Sequence, residues 1–141
     1  MNFTKTTSYS LNILSYMAEH DTIRMSASYL NSKLNIPYSY LRTVLGDLSK
    51  NNLIKGVNGR NGGFRLSRDK STIFLADIVE VTEGLESFNK CVMGFDECPL
   101  NYSCYLHPLW IRMRNEILNV LKQTSLADLL TDKKEISNQN K

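Results

Sequence analysis

The chain has 141 residues, a formal net charge of +3 and three cysteines, which suits one domain with its own core plus an appended element and excludes two independent domains. No run of about 18 apolar residues occurs, and the opening "MNFTKTTSYSLNIL" lacks the basic-then-apolar layout of a secretory signal, so a cytoplasmic protein without a membrane segment is expected. An odd number of cysteines in a reducing compartment argues against a disulfide framework and leaves metal or redox chemistry.

Taken in chain order, residues 8 to 18 place Leu11, Leu14 and Ala18, flanked by Ile13 and Met17, at helical spacing. Ser26 is an N-cap for a short second helix with Ala27, Leu30 and Leu34 inward, stopped by Asn35 and Pro37. In "YSYLRTVLGDLSKNN" the apolar positions Leu41, Val44, Leu45 and Leu48 share one face and leave Tyr38, Ser39, Arg42, Thr43 and Gly46 for the other. Two short helices joined by a tight turn suggest a helix-turn-helix. The stretch "LIKGVNGRNGGFRLSR" then reads as two strands around a glycine-rich tip, Gly59 to Gly63, with Arg60, Arg65 and Arg68 along it. A nucleotide-cradling loop would end in Gly-Lys-Ser/Thr and open a helix, and this one does neither.

Three helices and a basic hairpin make a winged helix, so the expected fold is mainly α with a small β-wing and a long dimerisation helix. Residues 33–70 carry eight Lys or Arg against Asp47 and Asp69, a basic block suited to a polyanion. Residues 71–107 carry only Lys90 against six acidic side chains. The candidate DNA-binding residues are Tyr38, Ser39, Tyr40, Arg42 and Thr43 on the third helix, and Arg60, Asn61 and Arg65 on the wing. Lys55 and Arg68 reach phosphates or solvent.

Beyond the wing, "STIFLADIVEVTEG" predicts a fourth helix with Leu75, Ile78 and Val79 inward and Gly84 as its stop. From Leu106 onward, Trp110, Met113, Ile117 and Val120 form one apolar strip and Ile111, Leu118 and Leu121 another. That is more than one small domain buries, which points to a homodimer of paired long helices; the rival is a helix folded wholly back onto its own domain. In "TSLADLL", Ser125 and Asp128 have capping-box spacing for a closing helix. The expected organisation is a DNA-binding domain over 1–84, a cysteine-rich cluster loop over 85–107, dimerisation and closing helices over 108–131, and a flexible tail over 132–141.

Between head and dimer helix lies "CVMGFDECPLNYSCYLH". Cys91, Cys98, Cys104 and His107 are separated by six, five and two residues. The first two intervals are wider than the paired C-x2-C knuckles of structural zinc sites. They suit thiolates spread around a larger object such as an iron-sulfur cluster, where histidine can replace one cysteine. Asp96 and Glu97 are weaker substitutes. A small redox enzyme using Cys98 or Cys104 with His107 would need a third orienting group and a C-x-x-C pair, neither of which is present, so no enzyme is expected.

Together, "TKTTSYSLNIL", "IPYSYLRTVLGDLSKNNLI", "NGRNGGFRL", the three-cysteine loop and "TSLADLL" resemble the Rrf-two family of small winged-helix repressors over about residues 1–131. The resemblance implies a cytoplasmic, homodimeric transcription regulator, usually a repressor, that binds a two-fold symmetric double-stranded operator; in sensing members the cluster state sets operator affinity. It carries the cluster cysteines onto Cys91, Cys98 and Cys104, and the histidine ligand of the family's iron-sulfur-assembly regulator onto His107. The first cysteine gap is one residue longer than in that regulator. Ser8 stands where nitric-oxide-sensing members place an acidic ligand from the partner subunit, which favours [2Fe-2S] over [4Fe-4S] here. Arg42 replaces a glutamate and Asn61 a wing glycine, so the operator sequence does not carry over. The expected signal is redox state, nitric oxide or iron-sulfur status, and a cluster this exposed can be absent from aerobically prepared protein. The alternative on the same fold is a clusterless thiol-based or zinc-stabilised regulator.

Overall fold

The computed structural model describes residues 3–131; the expected tail over 132–141 lies outside the described residues. Helix α1 (Lys5–Glu19) begins three residues earlier than its apolar period suggested, because the Thr4 side chain accepts the Thr7 N–H at 3.2 Å and caps it. Its first turns bury polar Thr7 and Ser10, which carry no apolar signal. Thr7 instead meets the Thr82 hydroxyl at 2.6 Å. Helix α2 (Ala27–Leu34) starts at the Ser26 cap and ends on Asn35, whose φ of 54° is left-handed. A three-residue turn leads to α3 (Tyr38–Lys50), which buries Leu41, Val44, Leu45 and Leu48 as the spacing requires.

Strands β1 (Ile54–Val57) and β2 (Gly63–Leu66) pair antiparallel with Ile54 opposite Leu66 and Lys55 opposite Arg65. The segment before α2 joins this wing, since Met25 and Phe64 exchange both backbone hydrogen bonds, at 2.9 and 2.7 Å. Gly63, with φ of 141°, is required there: a Cβ would lie 2.8 Å from the Met25 carbonyl. A 3-10 turn follows over Lys70–Thr72, capped by Asp69. The Ser71 hydroxyl and N–H hold the exposed Asp69 carboxyl below its ordinary range.

Helix α4 (Leu75–Thr82) is closed by Glu83, and Gly84, with φ of 81°, opens a 3-10 turn over Leu85–Asn89 that buries Phe88. After the cysteine loop come α5 (Leu106–Gln123) and α6 (Leu126–Leu129). Two cores result. The larger joins Ile13, Leu14, Met17 and Leu30 to the buried face of α3, and also includes Ile54, Ile73, Ile78 and Leu126. The smaller gathers Ala76, Val79, Phe88 and Leu121, with Ile117 and Leu118 against them. Each fully buried aliphatic side chain contributes about 1.5–3 kcal/mol of transfer free energy. The short α6 therefore returns to the larger core rather than extending α5. Leu126 donates its N–H to the Ile73 carbonyl at 2.9 Å, and Ser125 and Asp128 form the anticipated capping box. No helix among the described residues is long and apolar enough to cross a membrane.

Candidate nucleic-acid interface and cysteine site

Because α3 buries one face completely, its other face stands clear. Tyr38, Ser39, Arg42 and Thr43 are exposed at its N-terminal end, where a recognition helix meets base edges. Tyr40 is turned the other way: its hydroxyl bonds the Thr6 hydroxyl of α1, and its ring meets Tyr9 edge to face at 5.3 Å. Tyr38 and Arg42 instead line a groove that Phe64 of the wing closes.

The wing presents Arg60 and Asn61 at an exposed tip. Lys55 and Arg65, both exposed, sit directly opposite each other on β1 and β2. Like charges so placed destabilise a hairpin, and a phosphate backbone would relieve them. Arg60, Asn61 and Arg65 also line a polar cleft of about 700 Å³ with Arg24 and the Ser26 cap. Arg24 lies in a loop with no sequence motif to mark it. Its signal is positional: it precedes the Met25 segment that pairs with the wing. Arg68 is drawn off to Asp77 at 3.2 Å.

The cysteine loop is built on a repeated local geometry. Each cysteine opens a turn in which its carbonyl accepts the N–H three residues on: Gly94 to Cys91 at 2.9 Å, Asn101 to Cys98 at 3.3 Å, and His107 to Cys104 at 3.2 Å. Each sulfur also accepts a backbone N–H. Met93 donates to Cys91 Sγ at 3.4 Å, Tyr102 to Cys98 Sγ at 3.3 Å, and Leu106 to Cys104 Sγ at 3.3 Å. Positive φ values at Gly94, Asn101 and Tyr102 shape these turns.

All three cysteines and His107 line one largely apolar cavity of about 250 Å³. The cysteines are free thiols, and among the described residues no three His, Cys, Asp or Glu side chains are drawn together closely enough to hold a single metal ion. The donor chemistry fits an iron-sulfur cluster, which spreads its ligands over more than one iron. Trp110 backs the cavity from α5 and donates its indole N–H to the Lys90 carbonyl at 2.8 Å, fixing the loop's entry against the helix. The Tyr102 ring lies 5.2 Å from the His107 ring. Along α5, Leu106, Met113 and Val120 remain exposed while Trp110 and Leu121 are buried. The first strip is thus split, since Trp110 and Ile117 pack within the chain while Leu106, Met113 and Val120 do not, and Leu118 and Leu121 of the second strip join the smaller core.

Comparison with known proteins bears on both regions. The family model described as Rrf2, iron-dependent transcriptional regulator, matches residues 3–132. The HTH-type transcriptional regulator NsrR of Halalkalibacterium halodurans is 34% identical over 141 residues, covering 96% of this chain and 94% of the relative. Among solved structures, CymR, the global cysteine regulator of B. subtilis, superposes with a TM-score of 0.75 at 27% identity, over 92% of this chain and 95% of that one. T. potens IscR gives a TM-score of 0.74 at 25% identity, over 96% and 90%.

Proposed function

Because the chain belongs to the Rrf2 family of iron-dependent transcriptional regulators, we propose that it is a repressor whose operator affinity is set by an iron-sulfur cluster on Cys91, Cys98, Cys104 and His107. The observation that carries this reading is the set of three N–H-capped sulfurs around one cavity, together with His107, between the head and α5. Three thiolates and one imidazole favour [2Fe-2S] over [4Fe-4S], since histidine replaces cysteine on one iron in known two-iron centres. A bound cluster supplies a cross-link sensitive to oxidants and nitric oxide.

The chain's own residues carry the rest. Cys91 follows directly on the turn that buries Phe88 against α4, and His107 opens α5. Tightening or freeing the loop therefore pulls on both helices of the smaller core, and α4 packs on α1 of the head. The exposed strip of Leu106, Met113 and Val120 supports pairing with a second copy along α5, which would present two heads to a two-fold symmetric operator. Tyr38, Ser39, Arg42 and Thr43 are assigned to the major groove, and Arg60, Asn61, Arg65 and Arg24 to the flanking backbone.

Iron, acid-labile sulfide and zinc content of protein purified without oxygen tests the cluster. About two irons and two sulfides per chain are expected; zinc alone, or no metal, sinks it. That second outcome would favour the thiol-based reading, which the wide present spacing of the donors and the likeness to CymR support. For the interface, Arg60→Ala should weaken operator binding and reduce the salt slope by about one unit. An unchanged slope would remove Arg60 from the phosphate contacts.

A further inference from the structure

Among the described residues, only two buried side-chain polar atoms lack a hydrogen-bond partner: Ser10 Oγ and Arg114 Nε. Arg114 lines the cysteine cavity. It lies one helical turn beyond Trp110 and two beyond His107, so the three share one side of α5. The other charged residues lining the cavity, Lys90 and Asp96, pair with each other at 3.5 Å and are well exposed. Arg114 has no acidic partner among the described residues. A guanidinium carries a permanent charge and several donors in a fixed plane. Leaving its Nε buried and unpaired is costly unless an anion meets it there.

We propose that Arg114 is the charge partner of the sulfur site, a positioning residue that offsets the negative charge left when Cys91, Cys98 and Cys104 act together as ligands. The inference rests on reading those three cysteines with His107 as a joint ligand set. It does not depend on cluster type. Three thiolates around a divalent ion, or around either an oxidised two-iron or a four-iron core of charge two, leave one net negative charge. The cavity is walled mainly by apolar side chains that are themselves about half exposed, so solvent screens that charge only in part and a cation beside it adds stabilisation. The N–H groups already aimed at each sulfur act in the same sense.

The experiment is a Co²⁺ titration of the full-length, metal-free chain without oxygen, read by thiolate-to-cobalt absorption, for wild type, Arg114→Met, Arg114→Lys and Arg112→Met. Arg112 is exposed on the same helix and controls for a general charge effect. Arg114→Met should weaken Co²⁺ binding by about 10–100-fold, the usual effect of losing an outer partner of a metal site. Arg114→Lys should recover most of the loss, and Arg112→Met should bind as wild type does. Equal affinity in wild type and Arg114→Met overturns the proposal, as does a lysine variant no better than the methionine one. If wild type binds no Co²⁺ through sulfur, the donors do not converge on a single ion, and the same four proteins are compared by the iron and sulfide they retain after anaerobic reconstitution, where equal retention in wild type and Arg114→Met overturns the proposal. Iron and sulfide analysis separately decides whether the native occupant is a cluster.

Discussion

The head and the cysteine loop are ordered by opposite means. Residues 5–82 bury a continuous aliphatic core, with Ile13, Leu14, Leu30, Leu41 and Ile78 completely enclosed. In the loop, Val92, Met93, Phe95 and Leu100 are 47–65% exposed, and its backbone bonds are single turns, most of them opening on cysteines. A segment that buries so little of its own apolar surface gains little to offset its ordering entropy. The loop's order therefore rests on little beyond its own turns, whereas the head is held by its aliphatic packing together with Leu126. Under the proposed function, that contrast gives a rigid reader joined to a segment whose order is conditional.

Four substitutions sharpen or break this contrast. Leu41→Ala should lower head stability by about 2–5 kcal/mol in urea or thermal unfolding, as enclosed leucines do; a loss below about 1 kcal/mol would mean the head is less tightly packed than described. Gly63→Ala forces a Cβ into the Met25 carbonyl at a positive φ, so about 1–3 kcal/mol should be lost together with operator affinity, because the wing shifts. Loss of stability with DNA binding intact would separate the wing from recognition. Ser125→Ala should cost about 1 kcal/mol by removing the α6 cap, and α1 amides should exchange faster, since Leu126 closes their core. Cys98→Ser should move the urea midpoint of the metal-free chain by less than about 0.5 kcal/mol while abolishing iron retention. A large shift in the metal-free protein would show that the loop supports the head after all.

The head was legible in the sequence where a single local rule decides. Ser26 and Ser125 cap the helices they precede, and the spacing of Leu41, Val44, Leu45 and Leu48 identifies the buried face of α3 and, by subtraction, its exposed residues. The glycine-rich tip marks the wing. What escaped is tertiary. The first turns of α1 pack through Thr7 and Ser10 rather than through an apolar residue, so hydrophobic periodicity starts too late. Arg24 reaches the wing only because Met25 pairs with Phe64. Tyr40 resembles its neighbours on α3 in type, and only its bond to Thr6 shows that it faces inward. At the cysteine site the donors were visible from composition, but the N–H groups on each sulfur and the unpaired Arg114 depend on turn geometry and on how α5 lies across the loop.

The place of Leu126 in the larger core has a consequence for how the protein is made. The chain leaves the ribosome at about 5–20 residues per second, N-terminal residues first. The head cannot complete its core until residue 126 is out. By then the whole cysteine loop has emerged and its thiols have met the surrounding solution. Each newly synthesised copy thus presents its sulfurs to metal, sulfide or oxidant before it owns a finished surface with which to grip DNA.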